Sequence, residues 1–383
     1  MRALSLGLLF ALVLATAPAV ADDQRSSAPD RADRAAPGFR VTKLVQGLEH
    51  PWDVQPIGGG RLLITERDTA HLLVADAQGK RRVRFPSGKV WVSGETGLMS
   101  MEVDPGFAGN RRFYTCQGGS TSGGGHDVRI IAWRLNRAAT KASKIRVLLK
   151  GLPTSSGRHG GCRLLITRNG ALLVGTGDAA TGTNPRNLGS LGGKTLRINR
   201  MTGKPWPSNP FIKGEGKRRY LLTFGHRNVQ GLAQRRDGTL WSIEHGTHRD
   251  DEVNKLVAGG DYGYHPVPGY NESVPMTDFG LPGKQHAARW RSGDPTLATS
   301  GATFVRGEQW RGLQGTLAVA CLKAGRVLFM KFDGKGKLRS VKAPQALRRY
   351  GRLRSITSAP DGSLLITTDG VSGGDSVLLV RPR

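Results

Sequence analysis

The stretch GLAQRRDGTLWSIEHG, from Gly231 to Gly246, decides the fold. Its first half alternates apolar and polar residues, Asp237-Gly238 makes a tight turn, and Leu240, Trp241 and Ile243 carry a second apolar segment. That pattern reads as two strands joined by a hairpin. The same shape returns in WDVQPIGGGRLLITER from Trp52, LLITRNGALLVGTGD from Leu164 and ITSAPDGSLLITTDG from Ile356. Two weaker copies are GLMSMEVDPGFAGNRRFYTC from Gly97 and GATFVRGEQWRGLQGTLAVACL from Gly301. Six copies at a period of some tens of residues predict an all-β chain folded as a six-bladed β-propeller. A lone blade has two apolar faces and cannot bury both, and closing the ring supplies a neighbour for each. A pair of packed sheets is the competing architecture. Hardly any segment shows a helical apolar stripe. The long segments Asn184 to Arg219 and Pro266 to Ser300 read as insertions between strands, where function concentrates.

The chain has 383 residues, with 57 Lys and Arg against 29 Asp and Glu, a formal charge of +28. The charges are scattered, which favours a solvated basic surface over a nucleic-acid site. Residues 1–21 read as a signal peptide: Arg2 leads, Ala3 to Ala17 is small or apolar, and Ala19-Val20-Ala21 offers a cleavage site. The run is short for a bilayer, so the mature form is expected to be exported, periplasmic or secreted, without a membrane span. Residues 22–37 read as a disordered linker, and 38–383 as one propeller domain. The oligomeric state is not legible. Cys116, Cys162 and Cys321 are an odd set, so at least one thiol is unpaired, and Cys116 with Cys162 is one candidate pair. No CxxC spacing points to zinc.

The polar residues flank the strand pairs. His159 precedes one pair and Asp178 closes it; Arg227 and Asn228 precede another, which Glu244 and His245 close; Lys323 follows a strand of the fifth copy, and Arg352 and Arg354 open the last. Whether the entry to one strand and the exit of the next share an end of the blade is left open by the sequence. Asp250, Asp251 and Glu252 are contiguous carboxylates that repel unless solvated or bridged by a cation, for which calcium is the natural partner of an exported protein. No EF-hand, HExxH, GxGxxG or P-loop pattern is present.

Taken together, HPWDV with LLITER, GETGLMSMEVDPGFAGN, HGGCRL with GTGD, GHRNVQG, EHGTHRDDEVNKL with GDYGY, and GRLRSITSAPDG resemble the glucose/sorbosone dehydrogenase family of soluble quinoproteins. The resemblance implies a six-bladed propeller that uses pyrroloquinoline quinone (PQQ) and Ca2+ to oxidise an aldose at C1, passing electrons to a diffusible acceptor. It implies that His159 is the general base, that Asp178 orients it, and that Arg227 and Asn228 contact the cofactor. Lys323, Arg352 and Arg354 match residues that hold the cofactor carboxylates, and Tyr270 one that lies against the cofactor. Gly246 and Thr247 fall where carbonyls hold the cofactor's calcium, and Glu252 and Tyr262 resemble a further calcium site. Glu95 stands where the family has glutamine, placing a carboxylate near a tricarboxylate cofactor. A calcium-dependent hydrolase such as a propeller lactonase, and a non-catalytic basic propeller that binds acidic glycans, are the competing readings.

Overall fold

The computed structural model describes residues 37–370 and 372–383, so the expected signal peptide and the linker up to residue 36 lie outside the described residues. Strand β1 (Phe39–Leu48) comes first. The first blade is β2 (Pro51–Pro56), β3 (Leu62–Glu66), β4 (Leu72–Asp76) and β5 (Gly79–Arg82). The second is β6 (Leu98–Val103), β7 (Arg112–Ser120), β8 (His126–Leu135) and β9 (Ala142–Leu152). The third is β10 (Gly161–Ile166), β11 (Ala171–Thr176), β12 (Lys194–Asn199) and β13 (Leu221–Phe224). The fourth is β14 (Val229–Gln234), β15 (Leu240–Glu244), β16 (Glu252–Lys255) and β17 (Trp290–Arg291). The fifth is β18 (Thr299–Phe304), β19 (Leu317–Cys321), β20 (Arg326–Phe332) and β21 (Leu338–Lys342). The sixth is β22 (Leu353–Ser358), β23 (Leu364–Thr368) and β24 (Asp375–Pro382), completed by β1.

The first strands of successive blades touch around the ring, and β2 meets β22 to close it. Each sequence copy is therefore the inner hairpin of one blade. Strand alternation explains the packing, because successive side chains point to opposite faces. On β11, Leu172 and Val174 enter the core shared with the second blade, while Leu173 enters the core shared with the fourth. On β3, Leu63 faces the second blade and Leu62 and Ile64 face the sixth. Inner strands such as β11 are buried throughout, and β5 at the rim is exposed throughout. Cys116 on β7 is bonded to Cys162 on β10, which ties the second blade to the third, and Cys321 is a buried free thiol.

Closure uses the chain ends. β1 pairs antiparallel with β24 from Phe39↔Pro382 to Leu48↔Asp375, so the first and last strands share one sheet. The segments expected as insertions are only partly so: residues 184–219 contain β12, and residues 266–300 contain β17 and the start of β18. These strands are short or flanked by long loops, so no repeat pattern marks them. Among the described residues, no helix is long and apolar enough to cross a membrane.

Candidate active site

Antiparallel pairing settles which groups share an end. Gly161 opposes Thr176, Val229 opposes Glu244, and Leu353 opposes Thr368, so the entry to each inner strand and the exit of its partner lie together. His159, Asp178, Arg227, Asn228, Glu244, Arg352 and Asp369 therefore gather at one mouth of the ring.

His159 and Asp178 form the centre. His159 Nδ1 lies 2.9 Å from Asp178 Oδ1, with both residues buried. Glycine makes the approach feasible: a Cβ at Gly177 would stand 1.8 Å from the His159 carbonyl oxygen. His159 itself takes a left-handed φ of +52°, an uncommon region for a side-chain-bearing residue. The Tyr270 hydroxyl donates to Asp178 Oδ2 at 2.7 Å and lies 3.0 Å from His159 Nδ1. Burial first, then the Asp178 charge, hold the Tyr270 phenol far above its usual range, so it remains a donor. With Nδ1–H directed at Asp178, Nε2 carries the free lone pair, and it has no hydrogen-bond partner among the described residues.

Glu95 reaches this pair from the second blade. Its Oε2 accepts the His159 backbone N–H at 3.2 Å and Asn228 Nδ2 at 3.2 Å. Both are neutral donors, and no cation forms an ion pair with Glu95 among the described residues. Asn228 Oδ1 in turn accepts Gln230 Nε2 at 3.2 Å.

Arg227 is buried above the centre, bonded to Glu272 and to the His245 carbonyl. Arg158, beside the histidine in sequence, also grips Glu272, at 2.7 and 2.8 Å. Arg158 and Glu272 thus close one side of the mouth, and sequence reading did not single them out. Arg227 Nε and His245 Nε2 are buried without partners among the described residues. Burial, then Arg354 and Arg227, push the His245 imidazole well below its usual range, so it is neutral.

The three expected carboxylate-holding cations differ. Lys323 and Arg352 are exposed and have no carboxylate partner among the described residues, while Arg352 Nε donates to the Asp369 carbonyl at 2.9 Å. Arg354 is buried and already committed to Asp369 Oδ2 at 2.6 and 2.9 Å and to Gln230 Oε1 at 3.2 Å.

The carboxylate run corrects one expectation, because the three groups do not gather. Asp250 is half-buried beside Arg249, and Asp251 accepts the N–H groups of Gly246, Leu297 and Thr299. Asp251 is thus a loop fastener. Glu252, buried like Asp251, lies elsewhere, where Asn254 Nδ2 spans Glu244 Oε1 at 2.8 Å and Glu252 Oε2 at 3.3 Å. Burial, reinforced by Glu244, pushes the Glu252 carboxyl up to about 8. The Asn254 Oδ1 nearby is buried and unpartnered among the described residues. The Tyr262 hydroxyl is taken by the Lys255 carbonyl at 2.7 Å, and its ring stacks on His226. The Gly246 and Thr247 carbonyls accept no hydrogen bond among the described residues.

A closed ring of blades with a buried His–Asp pair and several arginines at one mouth defines a six-bladed propeller with a candidate active site at that mouth. Residues 48–380 match the model of the glucose/sorbosone dehydrogenase family, and the chain belongs to that family. It is 28% identical to the aldose sugar dehydrogenase YliI of Escherichia coli K12 over 91% of this chain and 95% of that protein. The apo-form crystal structure of the E. coli soluble aldose sugar dehydrogenase superposes with a TM-score of 0.81 at 28% identity, covering 90% of this chain and 100% of that one. The PQQ-bound aldose sugar dehydrogenase of Streptomyces coelicolor superposes with a TM-score of 0.76 at 26% identity, covering 91% and 100%.

Proposed function

We propose that the chain is an exported PQQ-dependent sugar dehydrogenase that oxidises the C1 of a cyclic aldose to a lactone and passes the electrons to a diffusible acceptor. The observation that carries this reading is the His159–Asp178 pair, with Nε2 of His159 free at a mouth where Lys323 and Arg352 have no carboxylate partner among the described residues. The residues fit an acidic quinone. Among the described residues, Arg227 Nε is buried without a partner and Lys323 and Arg352 lack carboxylate partners, cations that a buried tricarboxylate requires, while the neutral His245 offers a further unpartnered buried Nε2.

PQQ and its calcium, when bound, supply a polarised C5 carbonyl that accepts hydride. His159 Nε2 takes the proton of the C1 hydroxyl as the C1–H bond breaks with its electron pair, leaving the C=O of the lactone. Asp178 favours the imidazolium formed at that moment. Tyr270 fixes the second Asp178 oxygen, so the carboxylate cannot rotate away. Arg227, with Asn228 next to it in sequence, would supply a fixed positive charge for the negative charge that grows on the ligand oxygen. Lys323, Arg352 and Arg354 would hold the ligand carboxylates. The free carbonyls of Gly246 and Thr247 suit the cofactor's calcium, and the Glu244–Glu252 pair, with Tyr262 beside it, suits a further calcium ion.

The test is reconstitution. Adding PQQ and Ca2+ to the purified chain should produce a quinone absorbance band and aldose-dependent dye reduction with lactone as product. Absence of both refutes the reading.

A further inference from the structure

We propose that His50, Asp369 and Asp375 form a site for a divalent transition-metal ion that pins the seam where the ring closes. Asp369 and Asp375 flank the turn between β23 and β24, and His50 joins them from 319 residues away from Asp369 in sequence. His50 leads into β2 of the first blade, Asp369 follows β23, and Asp375 opens β24, opposite Leu48 of β1. The seam between the first and last strands therefore passes between these side chains.

The ligand atoms already converge. His50 Nδ1 lies 2.8 Å from Asp369 Oδ1 and 4.0 Å from Asp375 Oδ2, and one ligand atom from each residue lies within 4.8 Å of the others. Around a tetrahedral ion with bonds of roughly 2.1 Å, neighbouring ligand atoms stand about 3.4 Å apart. The observed separations straddle that value, so shifts well under the length of a bond admit the ion.

An independent observation points to a ligand. Asp375 is only 2% exposed, and its Oδ2 is buried with no hydrogen-bond partner among the described residues. Its other oxygen is fully employed, accepting the Thr368 hydroxyl at 2.7 Å and the Gly370 N–H at 2.8 Å. An orphaned carboxylate oxygen is costly to bury, and a cation is the partner that removes the cost. The surroundings balance the charge: Arg354 neutralises the far oxygen of Asp369, Arg67 stands nearby, and Asp68 faces His50 Nε2 at 3.8 Å. Without the ion, Nδ1–H of His50 donates to Asp369 Oδ1; binding the ion requires the neutral ring to carry its proton on Nε2 instead, the side that faces Asp68, as metal-bound histidines do toward outer carboxylates. The imidazole selects a transition ion over calcium, which prefers oxygen alone. His50 is partly exposed, which leaves an entry path and a position for water as a fourth ligand.

The experiment uses the mature chain, stripped with EDTA and free of quinone, titrated with Zn2+ by calorimetry and by thermal unfolding. One equivalent should bind and raise Tm by roughly 4 °C at a hundredfold excess over Kd. Asp375→Asn keeps an oxygen for Thr368 and Gly370 and should lose that equivalent and the Tm rise, while the response to Ca2+ stays unchanged. His50→Gln should behave alike and decides the matter if the first variant does not fold. A wild-type chain without a zinc-dependent rise, or variants that retain it, overturns the proposal.

Discussion

The Tyr270 hydroxyl donates to Asp178 Oδ2 at 2.7 Å while His159 Nδ1 holds Oδ1 at 2.9 Å, so a residue from a loop of the fourth blade completes a pair built on the third. Tyr270 acts on His159 through Asp178. Tyr270→Phe removes one hydrogen bond to a charged group, worth about 1.5–3 kcal/mol, and should lower kcat of the reconstituted enzyme by roughly tenfold or more. PQQ uptake, followed by absorbance, should change far less. Equal kcat in the two proteins contradicts a positioning role.

Glu95 offers a second test. Both of its observed bonds are to neutral N–H donors, which an amide oxygen accepts equally well. Glu95→Gln should therefore keep the His159 backbone and Asn228 in place while removing a charge near an anionic cofactor. PQQ should bind several-fold tighter, on the order of 1 kcal/mol for one screened charge. Fluorescence titration reads this directly, and weaker binding would show that the carboxylate has a cationic partner in the loaded enzyme.

The joint between the second and third blades carries a pH-dependent element. Asp104 is buried, which works against its charge, but bonds from Tyr114, Asn110, the Gly106 N–H and Arg200 outweigh this and hold it down to about 2. A carboxylate lowered on folding contributes stability above its unfolded range near pH 4, and that contribution disappears as pH falls through about 2. Asp104→Asn should lower stability by about 1–2 kcal/mol at neutral pH. The gap in Tm between the two proteins should close between pH 4 and pH 2. A gap that is constant with pH would remove the ionic contribution.

Much of the frame was legible in the sequence, for a physical reason. The inner hairpins are buried on both faces, so they carry apolar runs around Gly-containing turns, and all six copies fall on them. The rim strands carry no such signal: β5 is Gly-Lys-Arg-Arg and fully exposed, and β17 is two residues long. The ring-closing role of β1 depends on a partner more than three hundred residues away. His159, Asp178, Arg227 and Asn228 stood out because they border those hairpins, but only antiparallel pairing places them at one end. Glu272 escaped notice because nothing near it in sequence relates it to Arg158 or Arg227. The Asp250-Asp251-Glu252 run misled for the opposite reason: adjacency in the chain is not convergence in space, and Asp251 is consumed by three backbone N–H groups.

The central claim is that His159 Nε2 takes the sugar proton. His159→Ala, loaded with PQQ and Ca2+ beside the wild-type chain, should bind the cofactor with little change and lose aldose-dependent dye reduction by roughly 10²–10⁴-fold, the range for a positioned base. Turnover equal to wild type with the same cofactor content would contradict the account.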